Sequence, residues 1–142
     1  MATSEVRDVA RDLIRQAPDR QWLRELTDAL DREIRTEPLD RIQVLWDLSG
    51  ADLGRIFGVS RQAVFKWFEN GIPAERAETL ADLASATDLL ASKVKRERIP
   101  AVVRRSAGRL GGTSLLELAE EGRHREVLEA VREMFDLRRI QP

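Results

Sequence analysis

The chain has 142 residues and a formal net charge of −1, with 24 Lys and Arg against 25 Asp and Glu. It contains no Cys and one His, which excludes disulfides, a thiolate nucleophile and a multi-histidine metal site. No apolar run approaches the ~20 residues that cross a bilayer, and the charged N-terminus lacks the apolar core of a signal peptide. We therefore expect a soluble cytoplasmic protein with no membrane partner.

Apolar residues recur at helical spacing almost throughout the chain, and no segment alternates as a strand does. The pattern predicts an all-α fold with an N-terminal helical pair, a central helix-turn-helix and a C-terminal helical lobe. In the N-terminal pair, Asp19 is the expected N-cap of the second helix, and Glu37-Pro38 is its expected end. The Leu/Trp stripe of this pair suggests a homodimer interface. The predicted domains are residues 1–37, 38–72 and 73–142.

The segment from Leu48 to Trp67 has the spacing of a helix-turn-helix. Such a motif needs a small residue where the helices cross and a turn residue that accepts positive φ. Gly54 and Gly58 supply them, and Val64 and Trp67 supply inward apolar positions on the second helix. The outer face of that helix is then left for a partner.

That outer face carries residue types that read DNA in the major groove. Arg61 can read guanine and Gln62 can read adenine, each by two hydrogen bonds. Ser60 and the helix N-terminal amides can hold a phosphate. Lys66 suits a phosphate or a base, and Phe65 either touches a thymine methyl group or packs inside. These five residues are the predicted contacts to double-stranded DNA.

The run GVSRQAVFKW, residues 58–67, resembles the turn and recognition helix of the Cro/C1-type (Xre) helix-turn-helix family. The resemblance covers residues 39–72 and implies sequence-specific DNA binding that represses transcription. Two recognition helices one DNA turn apart would require a homodimer. An ordinary helical hairpin with a solvated polar face is the alternative for this segment.

Residues 73–128 carry a second resemblance. Gly111-Gly112, Ser114 to Leu118, Gly122 and Val127-Leu128 resemble the toxin-binding domain of Xre/MbcA/ParS-type antitoxins. That resemblance implies an antitoxin that covers the active site of a RES-type, NAD⁺-consuming toxin and represses its own operon. Two alternatives stay open: a stand-alone regulator whose lobe only oligomerises or contacts DNA, and an adaptor that no longer binds DNA.

Positive charge is concentrated in residues 93–109, where seven basic residues stand against Glu97. The stretch either adds phosphate contacts beside the DNA, or is a solvated face that pairs with the acidic segments 73–92 and 117–136. The possible phosphate contacts are Lys93, Lys95, Arg96, Arg98, Arg104 and Arg105, with Arg109 completing the run.

The remaining polar residues form no catalytic constellation. His124 is expected at the surface or as a helix cap, because it has no partner of metal-ligand type nearby. The three Trp residues are expected in core packing. We therefore predict a non-enzyme with no metal and no cofactor.

Overall fold

The computed structural model describes residues 4–136. Contacts divide the chain into two units, Met1–Ile34 and Arg35–Pro142, and each is treated separately below. Within residues 4–136 the regular elements are helices, and the β pairing is one isolated bridge between Ala107 and Thr113. The predicted all-α fold is confirmed, whereas the predicted boundaries after residues 37 and 72 stay predictions.

The first unit contains α1, Ser4–Gln16, and the start of α2, Arg20–Trp46. The backbone N–H of Trp22 donates to Asp19 Oδ1 at 2.7 Å, so the predicted N-cap is confirmed. No side chain between residues 4 and 34 is buried. Trp22 itself is 36% exposed, and its predicted core packing is wrong because a helical pair offers no further layer to cover it. The exposed large apolar residues of the first unit are Val6, Val9, Leu13, Ile14, Trp22, Leu30 and Ile34.

Helix α2 continues through Pro38, so the predicted end at Glu37-Pro38 is wrong. A proline inside a helix costs about 3 kcal/mol, because it removes one backbone hydrogen bond and crowds the preceding turn. Leu39, Ile42 and Trp46 follow it and are completely buried. Burial of each such side chain contributes about 1.5–3 kcal/mol, which together exceeds the cost of the proline.

Two short helices follow, α3 at Gly50–Phe57 and α4 at Arg61–Asn70. A reciprocal cap starts α3: Ser49 Oγ accepts from the Asp52 N–H at 3.0 Å, and Asp52 Oδ2 accepts from the Ser49 N–H at 2.8 Å. Gly58 ends α3 in the left-handed region, with φ 68°. The turn between the two helices therefore has the predicted chemistry.

The crossing of α3 and α4 depends on Gly54. A Cβ at this position would lie 2.7 Å from the carbonyl oxygen of Val59, closer than real Cβ atoms approach. On the inner side, the rings of Phe57 and Trp67 meet edge to face, with centroids 5.4 Å apart and an interplanar angle of 88°. Val64 is buried beside them. The roles predicted for the helix-turn-helix glycines and inward apolar residues are confirmed.

The C-terminal lobe consists of four α-helices and three short 3₁₀ turns within the described residues. Its largest contact is between α5 and α8, and α7 packs on α3, α6 and α8. The chain restarts helically at Ile99, with Pro100 in its first turn. The helices are α5, Ala77–Lys93; α6, Ile99–Arg104; α7, Leu115–Glu120; and α8, His124–Met134; the 3₁₀ turns are Ala74–Arg76, Arg96–Arg98 and Gly108–Leu110.

Two neighbouring hydroxyl side chains, those of Thr113 and Ser114, lie at the start of α7. Ser114 caps α7, because Ser114 Oγ accepts from the Glu117 N–H at 3.1 Å. The Thr113 hydroxyl instead donates to Glu117 Oε2 at 2.6 Å. The final helix ends at Met134.

His124 joins α8 to α5 instead of lying on an open surface. Its Nδ1 is 2.7 Å from Asp82 Oδ2, and the Asp82 side chain is only 11% exposed. Arg125 Nε lies 3.4 Å from the same carboxylate oxygen. The expectation of a surface or capping histidine is therefore wrong, because a buried acid 42 residues earlier takes it as a partner.

One polar contact fixes the end of α2 against the lobe. Arg104 donates from Nη1 to the Trp46 carbonyl and from Nη2 to the Asp47 carbonyl, both at 2.7 Å. Asp47 has φ 56°, a left-handed conformation that is costly for a residue with a Cβ. The guanidinium thus holds the turn that leads into α3.

A continuous apolar core lies on both sides of residue 72.

Candidate functional site

The outer face of α4 gathers the predicted DNA contacts on one surface. Arg61, Gln62, Phe65 and Lys66 line an open depression together with Glu69. Their spacing places them on one side of a helix, because side chains three and four residues apart are neighbours. The buried Val64 and Trp67 fix the opposite side in the core. The structure therefore brings the predicted α4 side chains together.

Ser60 lies at the N-terminal end of this face. Its hydroxyl oxygen accepts the Ala63 N–H at 3.1 Å, and the residue itself is exposed. The first amides of a helix have no intrahelical acceptor, so the N–H groups of Arg61 and Gln62 point out of the helix end. Partial positive charge there favours an anion such as a phosphate.

The side chain of Arg61 is supported by α3. A Cβ on Gly50 would lie 3.4 Å from Arg61 Cγ, so the aliphatic part of the arginine lies over the start of α3. Within residues 4–136, neither Arg61 nor Lys66 forms an ion pair with a carboxylate. Both cations are thus available to an external partner.

Phe65 is 65% exposed, so it does not pack into the core. Of its two predicted roles, packing inside is wrong, and contact with a thymine methyl group stays a prediction. A large aromatic side chain on a charged helix face is poorly placed in water and well placed against a thymine methyl group.

Glu69 belongs to the same surface and was missed in the sequence reasoning. Its spacing of four residues from Phe65 and eight from Arg61 was the available signal. A carboxylate here opposes phosphate contact and can accept a hydrogen bond from cytosine N4. The positive part of the α4 face is therefore limited to its first two turns.

The basic stretch is mostly free for a partner. Lys93, Lys95, Arg96, Arg98, Arg105 and Arg109 are exposed, and none of them forms an ion pair within residues 4–136. Pairing with the acidic segments 73–92 and 117–136 is thus not observed for them. Arg104 differs, because its guanidinium is bound to the Trp46 and Asp47 carbonyls.

The cap of α3 lowers the pKa of one carboxyl group, that of Asp52. Hydrogen bonding from the Ser49 backbone N–H lowers the pKa of the Asp52 carboxyl below its ordinary value of 3.8, against the opposing effect of burial. The Ser49 hydroxyl and the positive charges of Arg55 and Arg104 lower the pKa further. The helix that supports α4 therefore starts at a charged carboxylate at neutral pH.

The motif residues of the C-terminal lobe serve its own structure. Leu115, Leu118, Val127 and Leu128 are buried. Gly111, Gly112 and Gly122 have φ of 71°, 85° and 78°, as turns in the left-handed region require. These motif residues therefore form the core and the turns of the lobe.

Neither a metal site nor a membrane span emerges from residues 4–136. No group of three or more Asp, Glu or His side chains in this range could hold a metal ion. The helices in the same range are all too short or too polar for a membrane span.

Comparison with known proteins gives one structural relationship. No protein-family model matches the sequence, and no curated protein matches it significantly. A chain in the crystal structure of the M. tuberculosis MbcT–MbcA toxin–antitoxin complex is similar to this protein, with a TM-score of 0.57 and 21% sequence identity. The similarity covers 71% of this chain and 92% of that chain, and it shows that the two share a fold.

Proposed function

We propose that this protein is the antitoxin of a type II toxin–antitoxin pair, which binds double-stranded DNA and represses its own operon. The observation that carries the proposal is the fold shared with a chain from a toxin–antitoxin complex over 92% of that chain. The partner is a RES-type toxin, neutralised by direct binding to the C-terminal lobe. The chain itself acts without catalysis or cofactor.

DNA binding rests on the α4 face. Two unpaired cations, one amide side chain and one exposed aromatic ring share a surface that points away from the core. Arg61 and Gln62 read base edges, and Ser60 with the first amides of α4 holds a phosphate. Lys66 and the exposed cations of the basic stretch add phosphate contacts, which fix position on DNA more than sequence.

Homodimer formation rests on the first unit. Two helices without a buried side chain are marginal in water, and a contiguous exposed apolar face marks an interface. A second copy suits this face, because residues 1–38 carry both signs of charge in similar number, which permits self-complementary pairing. A dimer also supplies two α4 helices for two half-sites.

Light scattering tests the dimer. Leu13→Asp places a charge on the apolar face of α1 and should convert a dimer into a monomer, as should deletion of residues 1–36. Arg11→Ala is the matched control on the charged face of α1 and should stay dimeric. A dimer that persists in Leu13→Asp would place the interface elsewhere.

Co-purification tests the antitoxin role. The tagged chain is expressed with its native flanking genes, and stoichiometric partners are identified. We expect a neighbouring protein that co-elutes, that arrests growth when expressed alone and that depletes NAD⁺. A homo-oligomer with harmless neighbours would contradict the antitoxin role and favour the stand-alone regulator.

A further inference from the structure

A cavity of about 260 Å³ lies in the C-terminal lobe, apart from the α4 face. Its walls come from the end of α5, α6, the turn at residues 107–110, the start of α7 and the end of α8. The lining is mainly apolar, with Val94, Val102, Leu110, Leu115, Met134 and Phe135 as its largest apolar side chains. Because five segments surround it, the cavity is a pocket and not the long groove that a docked helix needs.

The charged residues of the lining determine which ligand charge the pocket favours. Arg105 and Arg109 are exposed, and neither has an ion-pair partner within residues 4–136. Glu133 also lines the pocket, so the charged lining consists of two arginines and one carboxylate. The net formal charge of the lining is therefore positive, and it lies beside an apolar interior.

The volume limits the size of the ligand. An apolar cavity of about 150 Å³ holds a benzene molecule, which has six heavy atoms, so this pocket takes a ligand of about ten. An acyl chain of such length fills the apolar interior, and a carboxylate suits two arginine side chains by charge and by geometry.

We propose that the pocket binds a medium-chain carboxylate, with its hydrocarbon chain among the apolar residues and its carboxylate at Arg105 and Arg109. Octanoate, with ten heavy atoms, is the matching probe. The proposal does not depend on the antitoxin role, because it rests only on the pocket and its charges.

The test is a titration of the full chain with octanoate, followed by calorimetry and by NMR shifts of the methyl groups that line the pocket. We expect saturable binding, with 1-octanol at least tenfold weaker because it lacks the charge. Butyrate should also bind at least tenfold more weakly, because it leaves most of the apolar interior empty.

Variants separate the two parts of the site. Arg109→Gln and Arg105→Gln should remove the preference for octanoate over octanol, whereas Arg132→Gln, exposed on α8 outside the lining, should retain it. Ala130→Leu places extra carbon in the pocket and should weaken both ligands. Unchanged helical circular dichroism and unchanged thermal midpoints identify variants that fold normally.

Two results would overturn the proposal. The first is the absence of saturable octanoate binding to the wild-type chain. If Ala130→Leu then reduced recovery of a co-purifying protein, the pocket would instead receive a side chain of that partner. The second is equal affinity for octanoate and octanol, unaffected by the arginine substitutions, which would reduce the site to a non-selective apolar cavity.

Discussion

The indole Nε1–H of Trp46 donates a 3.0 Å hydrogen bond to the hydroxyl oxygen of Thr87, 41 residues further along the chain. Both side chains are completely buried. The Thr87 hydroxyl donates in turn to the Leu83 carbonyl at 2.6 Å. The indole N–H of Trp46 and the hydroxyl of Thr87 therefore both donate to a buried acceptor at the contact of α2 with α5.

Thr87→Val should destabilise the fold by about 1–3 kcal/mol, because it keeps the side-chain volume but leaves the buried indole N–H without an acceptor. Urea denaturation followed by fluorescence measures the change. In a Trp46→Phe background the same substitution should cost clearly less, since no N–H is left to satisfy. An equal cost in both backgrounds would show that the hydrogen bond is not the cause.

Gly54→Ala should destabilise the chain by about 1–3 kcal/mol, the usual range for overpacking, because the Val59 carbonyl occupies the position of the new methyl group. Gly108→Ala is the matched control. A Cβ there meets nothing within 4 Å, so we expect a change within about 0.5 kcal/mol. Similar effects of the two substitutions in thermal denaturation would refute the close crossing of α3 and α4.

Arg104→Met should cost about 1–3 kcal/mol, because the carbonyls of Trp46 and Asp47 lose a charged donor while the aliphatic stem is kept. Arg98→Met, also in the basic stretch but without an ion-pair partner in the described structure, should change stability by less than about 0.5 kcal/mol. Chemical denaturation of both variants measures the two changes in the free energy of unfolding. If Arg98→Met proved as costly, general charge and not the carbonyl contact would be responsible.

The cap at Ser49 predicts an acid-dependent loss of stability. The lowered pKa of Asp52 means that the unfolded chain binds this proton more readily than the folded chain. The stabilisation is complete above 3.8 and is lost as the pH falls through the lower folded pKa. Asp52→Asn should therefore be less stable than wild type at neutral pH, and the two should converge in acid. Denaturation curves that stay parallel at every pH would contradict this.

The α4 face and the basic stretch should affect DNA binding differently. Arg61→Ala and Gln62→Ala should each lose about 1–3 kcal/mol of affinity and relax sequence preference. Lys95→Gln should weaken binding to all sequences and reduce the salt slope by about 0.9 if it contacts one phosphate. Fluorescence anisotropy on sites selected from random DNA measures both.

Arg132→Ala is the matched control for that experiment, because Arg132 is exposed on α8 and outside both surfaces. Its affinity and salt slope should equal those of the wild type. If Arg61→Ala and Gln62→Ala both left the phenotype in cells intact, this would favour the adaptor that no longer binds DNA.

Local signals made the α3–α4 region predictable from sequence. Ser49, Gly54, Gly58 and Ser60 each satisfy a requirement set within a few residues: a cap, a crossing or a turn. Such requirements are visible in the sequence because the partner atoms lie nearby in the chain. The spacing of these residues therefore predicts both helices of the pair and the outward face of α4.

Other features depend on partners far along the chain. Pro38 remains inside α2 because of the burial of side chains that follow it. Arg104 finds its carbonyl acceptors 57 and 58 residues earlier, and His124 finds Asp82. No local pattern marks these contacts. A basic run in the sequence therefore gives no indication of which of its members is structural.

The position of Arg104 has a consequence for how such a protein can change in evolution. Trp46 and Asp47 precede the α3–α4 pair, whereas Thr87 and Arg104 follow it, and the contacts between them enclose the pair. A recombination event after residue 72 would leave the indole N–H and two turn carbonyls without partners. Exchange of one half alone is therefore expected to destabilise the fold, unless the new half supplies the same donors and acceptors.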